Sequence, residues 1–127
     1  MALLFKRGVT LTPHPAGARL LGSLDRVARI RAADLTVTSG SDGHPATSSH
    51  GRGRAFDVRT HGLTDIEKVE LLNDVLDDLD DGQTTTLTIA GIWWARATDH
   101  WFGQIEAHGQ PNEHLHLQLR NGRTFPY

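Results

Sequence analysis

The sequence predicts an α+β fold in which helices pack on one side of an antiparallel sheet. Two stretches, about 16–32 and 64–81, carry apolar residues at helical spacing, and short β-rich segments lie between and after them. The segment 113–120 alternates between polar residues and leucine, as a strand with one buried face does. Helices that are segregated from an antiparallel sheet define the α+β class.

Each of the two helices has its own signal. The first follows a stiff Pro-His-Pro segment, and its apolar stripe comprises Leu20, Leu24, Val27 and Ala28. The second opens with a capping box at 64–67, where the threonine accepts from the glutamate amide and the glutamate side chain reaches back. Its inward residues are predicted to be Ile66, Val69, Leu72, Leu76 and Leu79. The aspartates on its outer face lack the loop spacing of a calcium site and indicate a solvated helix face.

Short strands account for most of the remaining chain. They are predicted at 35–38, 55–58, 84–89, 92–96 and 113–120. A polar loop at 40–50 separates the first two, and the third and fourth are joined near Gly91. In the last strand, alternation places His114, His116, Gln118 and Arg120 on one face and Leu115, Leu117 and Leu119 on the other.

Composition limits the classes of function. The 127 residues carry a net charge of −2 with dispersed Lys and Arg, so we expect one domain over 1–127 and no nucleic-acid interface. No segment approaches the length of a membrane span, and the N-terminus lacks the pattern of a signal peptide, so we expect cytoplasmic synthesis. Without cysteine, disulfides and thiolate metal sites are excluded, and any metal must be bound by His, Asp or Glu.

Two polar segments carry the candidate chemistry. The first, Ser48–Asp57, offers His50 in a glycine-flanked loop and Asp57 on the strand that follows. The second, Glu113–His116, offers two histidines that alternation directs to the same side of a strand. Two imidazoles and one carboxylate suit a catalytic zinc site, which leaves its fourth position to water. The spacing therefore predicts a hydrolytic zinc centre.

The motifs resemble those of a known family. Ser-x-His-x-x-Gly-x-Ala-x-Asp, matched at 48–57, resembles the signature of the D-Ala-D-Ala carboxypeptidase/VanX family. Glu113–His116 likewise resembles that family's second motif, Glu-x-x-His. The family belongs to the LAS group of zinc peptidases, which includes lysostaphin-type enzymes and the hedgehog signalling domain. The resemblance extends from about Val37 to Leu119 and is greatest to small phage-type or bacterial members.

The resemblance implies a LAS/hedgehog-like fold and a role for each site residue. It implies that His50, Asp57 and His116 bind Zn²⁺, that Glu113 is the general base, and that His114 stabilises the transition state. The implied substrate is the stem peptide of bacterial peptidoglycan, cut as a D-Ala-D-Ala carboxypeptidase or an L-Ala-D-Glu endopeptidase does. Such an enzyme degrades cell wall, in the manner of an endolysin, after release or export.

Two features leave alternatives open. Many family members carry an arginine in a Ser-Gly-Tyr-Arg-like segment that polarises the substrate carbonyl, whereas this chain has Ser-Gly-Ser-Asp at 39–42. That role falls to His44, Arg54 or Arg59, or it is missing. Glu113 stands three residues before His116, so it reaches the same site only if the strand begins near His114.

Two rival functions remain at this stage. One is a non-catalytic binding module stabilised by zinc, and the other is a phage virion or tail component with the same fold. The aromatic pairs Trp93–Trp94 and Trp101–Phe102 are either a binding platform or core, and strand spacing predicts that one member of each pair lies in the core.

Overall fold

The computed structural model describes residues 2–79, 81, 85–87 and 93–126. Within these residues the protein has two helices, α1 (Pro15–Arg31) and α2 (Asp65–Leu79). The strands are β1 (Leu3–Phe5), β2 (Leu35–Ser39), β3 (Ala55–Arg59), β4 (Thr85–Leu87), β5 (Trp94–Ala97), β6 (Trp101–Glu106) and β7 (His114–Leu119). The α+β class is confirmed. The predicted turn near Gly91 lies outside the described residues.

The strands form one sheet in the order β1-β2-β3-β7-β6-β5-β4. All neighbouring pairs are antiparallel except β1 and β2, which are parallel. The sheet is therefore mixed, whereas the sequence predicted a purely antiparallel one. The difference arises from β1, which the sequence did not predict. Because α1 connects β1 to β2, the chain crosses over the sheet and re-enters it in the same direction.

Both helices pack on one face of the sheet and enclose the core. Strand alternation directs Phe56 and Val58 of β3, the leucines of β7, and Trp101 and Ile105 of β6 towards the helices, where all are buried. The opposite face carries Asp57, His114 and His116 and is called the polar face below. Alternate residues of these strands thus face the core on one side of the sheet and the candidate site on the other.

The predicted helix starts are confirmed. Nδ1 of His14 accepts a hydrogen bond from the Ala16 amide at 3.0 Å and caps α1. At α2, the Thr64 amide donates to Glu67 at 3.0 Å and the Glu67 amide donates to the Thr64 hydroxyl at 3.2 Å. This is the reciprocal bonding of a capping box.

Of the predicted core positions of α2, the three leucines are buried, Val69 is only half-buried, and Ile66 is wrong. The side chain of Ile66 is 72% exposed, whereas Lys68 is buried. Ile66 precedes Leu72 by six residues and so lies about a third of a turn off the buried stripe, while Lys68 precedes it by four and lies on it. The outer aspartates Asp74 and Asp77 are exposed, as a solvated helix face requires, and they form ion pairs with Arg31 and Arg96. Asp78 is partly buried and pairs with Arg26.

Strand β6 was not predicted because Gly103 interrupts its pattern. A side chain at Gly103 would meet Leu117 and Leu72, so the glycine lets α2 approach the sheet. The aromatic pairs divide as predicted: Trp101 is fully buried, Trp94 packs against the core, and Trp93 is 37% exposed. Among the described residues, no helix is long and apolar enough to cross a membrane.

Candidate metal centre

The three predicted metal ligands meet at the middle of the sheet. Asp57 on β3 and His116 on β7 are directly paired across the two strands, and alternation directs both onto the polar face. His50 reaches them from the loop that precedes β3. His50 and His116 are buried and Asp57 is partly buried.

The loop that carries His50 is held by residues of the same motif. The Ser48 hydroxyl donates to the Pro45 carbonyl at 2.8 Å and accepts from the Gly51 amide at 3.0 Å. Gly53 has a φ of +77°, and a side chain there would clash with the Thr12 carbonyl. The position therefore needs glycine for both its conformation and its space. The two hydrogen bonds of Ser48 thus hold the loop that carries His50.

The donor atoms of the three residues form a small triangle. His116 Nδ1 lies 2.9 Å from Asp57 Oδ1, and His50 Nε2 lies 3.2 Å from His116 Nδ1 and 3.3 Å from Asp57 Oδ1. These atoms are close enough to hold one metal ion. The structure therefore brings His50, Asp57 and His116 together as the spacing predicted.

In each imidazole, the outer nitrogen, which faces away from the triangle, makes a hydrogen bond that orients the ring. This hydrogen bond fixes the direction of the lone pair on the inner nitrogen. Nδ1 of His50 lies 3.0 Å from the Gly40 carbonyl oxygen, and Nε2 of His116 lies 2.7 Å from the Gln118 side-chain oxygen. Because both oxygens only accept, each of these nitrogens carries a proton. In the neutral form of the rings, which is the form that binds a metal, the inner nitrogens are unprotonated, and two lone pairs and a carboxylate converge on one point. Such outer-sphere hydrogen bonds orient histidine ligands at metal sites.

A β-bulge at the end of β2 contributes to this arrangement. The register of β2 against β3 shifts between Val37 and Ser39, so Ser39 is paired with Asp57. The bulge turns the chain so that the Gly40 carbonyl faces His50 and the Ser39 hydroxyl lies 3.0 Å from His44 Nε2. The His44 ring stacks on that of His50, with centroids 4.2 Å apart.

His114 borders the triangle together with a carboxylate that the motifs did not indicate. Nε2 of His114 lies 3.0 Å from Glu106 Oε2 and 3.6 Å from Asp57 Oδ1, and its Nδ1 lies 2.9 Å from the Asn112 carbonyl oxygen. The hydrogen bond with Glu106 raises the pKa of His114 to about 9, so both ring nitrogens carry protons. Glu106 is the cross-strand partner of His114 and was missed because β6 was not predicted.

Glu113 does not join this cluster. Its carboxylate accepts from the Thr60 hydroxyl at 2.6 Å and the Gly109 amide at 2.9 Å, and it forms an ion pair with Lys68 at 2.8 Å. Lys68 belongs to α2, on the helical side of the sheet. The strand does begin at His114, as required, but the side chain turns towards the helix. The expected position of Glu113 beside the metal ligands is therefore corrected: it joins α2 to the segment before β7.

An open cavity adjoins the triangle on the β6 side. It has a volume of about 620 Å³ and is lined by Trp93, Gln104, Glu106, His108 and Gln110, among others. The rings of Trp93 and His108 stack face to face, with centroids 3.7 Å apart. Gln104 and Glu106 of this lining are the cross-strand partners of His116 and His114, so the cavity lies one strand away from the metal ligands.

Comparisons with models of known protein families, with curated proteins and with solved structures gave no match for this chain. The resemblance described above is one of short motifs, at 48–57 and 113–116. Any function assigned to the protein therefore rests on those motifs and on the chemistry of the site.

The first prediction concerns metal content. Protein purified without added metal should contain close to one equivalent of bound metal, measured by elemental analysis, because the three donors converge on one point. His50→Ala and His116→Ala should each lose it, since each removes one of three ligands. His61→Ala is the matched control, an exposed histidine outside the cluster. Full retention of metal by both ligand variants would contradict the assignment.

The second prediction concerns pH. Burial alone would lower the pKa of His116, but the hydrogen bond and charge of Asp57 raise it above its usual value. Hydrogen bonds from the two imidazoles likewise outweigh burial and lower the pKa of Asp57, so the carboxylate stays ionised. Because the raised pKa of His116 makes a proton compete more strongly with a metal, metal affinity should rise with pH by up to about tenfold per unit for each displaced proton. Competition with a chelating dye between pH 5.5 and 8.5 measures this, and a flat profile would place the ligands elsewhere.

Proposed function

We propose that this protein is a zinc-dependent metallopeptidase that hydrolyses peptide bonds in bacterial peptidoglycan. The observation that carries the proposal is the convergence of two imidazole lone pairs and one carboxylate on a single point beside an open cavity. The motif resemblance at 48–57 supplies the class of substrate.

The donor set suits zinc. Bonds of about 2.0–2.1 Å in tetrahedral geometry separate neighbouring ligand atoms by roughly 3.3–3.4 Å. The donor atoms of His50, Asp57 and His116 are 2.9–3.3 Å apart, within a few tenths of an ångström of that separation. Two nitrogens and one oxygen are also ligands that zinc accepts readily. When bound, zinc supplies a Lewis acid that activates water and polarises the substrate carbonyl.

Glu106 and His114 are placed to handle protons. The hydrogen bond from His114 lowers the pKa of Glu106, so its carboxylate is ionised at neutral pH and accepts a proton from the attacking water. Protonation of Glu106 weakens its hydrogen bond with His114, so the Nε2–H of His114 is released to donate to the oxygen that gains negative charge. Glu113, to which the resemblance assigns the base, is instead engaged by Lys68 and Thr60. We therefore assign the proton acceptor to Glu106 and the stabilising donor to His114.

The same features favour an enzyme over a binding module. Structural zinc sites are closed by four protein ligands, whereas catalytic sites have three and leave one position open. The cluster offers three ligands, and Glu106 and His114 border it on the side of the cavity. A zinc-stabilised binding module or a virion component would not require a proton acceptor and a donor there.

The third prediction tests the activity and its base together. Zinc-loaded protein should release peptides from purified peptidoglycan, and mass spectrometry of the products identifies the bond that is cut. Glu106→Gln should lower turnover by roughly two to four orders of magnitude because it removes the proton acceptor. It should leave bound zinc and the free energy of unfolding nearly unchanged.

Glu113→Gln should show the opposite behaviour. It should retain turnover within a few-fold but lower the free energy of unfolding by about 1–3 kcal/mol, since a buried charged hydrogen-bond partner of Lys68 is lost. Chemical denaturation measures this change. Loss of turnover in Glu113→Gln with full turnover in Glu106→Gln would return the base to Glu113. No product from the zinc-loaded parent would favour the binding module.

A further inference from the structure

Arg59 is a cation on the polar face beside the candidate active site. It is the last residue of β3, two positions after Asp57, so strand alternation places both residues on the same face. Its direct cross-strand partner is His114. Side chains paired in this way lie close together, with Cβ atoms about 4.5–5.5 Å apart. Arg59 therefore stands next to the group that we assign as a donor to the substrate.

Arg59 is exposed, and no carboxylate among the described residues pairs with it. This is unusual in the chain, because most arginines are engaged. Those in ion pairs are Arg19, Arg26, Arg29, Arg31, Arg96 and Arg123, while Arg54 and Arg120 donate to backbone carbonyls. The nearby carboxylates of Asp57 and Glu106 are bound instead by imidazoles. The positive charge of Arg59 is thus left available to a ligand.

The other cation beside the metal centre, His114, is already bound by Glu106. Among the described strand residues of the polar face, Arg59 is the only Lys or Arg. The cavity on the β6 side is lined by aromatic and amide groups with the carboxylate of Glu106. The two sides of the metal centre therefore differ, because a cation unpaired among the described residues lies towards β3 and the described lining of the cavity towards β6 has no lysine or arginine.

We propose that Arg59 binds a carboxylate of the substrate next to the scissile bond. The inference rests on the proposed peptidase function and narrows its substrate to peptides that carry such a carboxylate. A guanidinium presents two parallel N–H groups that match the two carboxylate oxygens. The carboxylate is either the C-terminus of the peptide or the side chain of an acidic residue. Binding at Arg59 directs that end towards β3 and the rest of the peptide towards the cavity.

The fourth prediction separates binding from turnover. Three probes are titrated into the metal-free protein and followed by NMR chemical shifts: N-acetyl-D-alanyl-D-alanine, its C-terminal amide, and N-acetyl-L-alanyl-D-glutamic acid diamide. One carboxylate probe should bind roughly three- to tenfold more tightly than the neutral amide. Arg59→Gln should abolish this preference, and Arg59→Lys should retain part of it. Arg7→Gln, which removes an exposed arginine outside the sheet, is the matched control and should keep it.

The outcomes are distinct for the two proposals. The probe that is preferred decides between a C-terminal and a side-chain carboxylate. Equal or undetectable binding of all three probes, or a preference that survives in Arg59→Gln, would overturn the role of Arg59. A preference that depends on Arg59 without hydrolysis by the zinc-loaded parent would leave that role intact and refute the peptidase. With hydrolysis, Arg59→Gln should raise KM for the carboxylate substrate and change kcat little.

Discussion

The pairing of β3 with β7 is the constraint on which the rest of the structure depends. These adjacent strands place Asp57 directly opposite His116 on one face and Phe56 and Val58 among the leucines of β7 on the other. Because the side-chain period of a strand is two, a slip of one residue would expose the core and bury the site at once. The hydrophobic packing of the helices therefore also fixes the register of the two metal ligands.

The convergence of three acceptors would be unfavourable without a positive charge between them. In the metal-free protein a proton between His116 and Asp57 is favoured, because each group shifts the pKa of the other, raising that of His116 and lowering that of Asp57. A divalent cation can bind the inner nitrogens of both histidines and the Asp57 oxygen at once, whereas a single proton bridges only two of these three atoms. The Gly40 carbonyl and the Gln118 side chain hold the outer nitrogens, so the rings cannot turn away without losing a hydrogen bond.

The sequence was most informative where chemistry and periodicity coincide. The motif spacing and the alternation of β7 predicted His50, Asp57, His116 and His114 at one place, and the structure brings them together. It was least informative about Glu106. This residue lies beside His114 because it belongs to β6, a strand that was not predicted because Gly103 interrupts its alternating pattern. If Gly103 is counted as a core-facing position whose missing side chain leaves room for a leucine, residues 101–106 alternate as a strand does, and Glu106 then falls beside His114.

For Glu113, the motif predicted a position near the metal ligands. The buried Lys68 of α2 instead binds the carboxylate on the helical side of the sheet, a tertiary contact that no local sequence pattern indicates.

The most direct test of the metal centre is the protonation pattern of its two histidines. Long-range ¹⁵N–¹H NMR of zinc-loaded protein distinguishes which ring nitrogen carries the proton. The geometry predicts opposite tautomers: His50 protonated on Nδ1 with Nε2 bound to zinc, and His116 protonated on Nε2 with Nδ1 bound to zinc. Rings that show the same tautomer, or patterns that zinc does not change, would contradict the convergence of lone pairs on which the account rests.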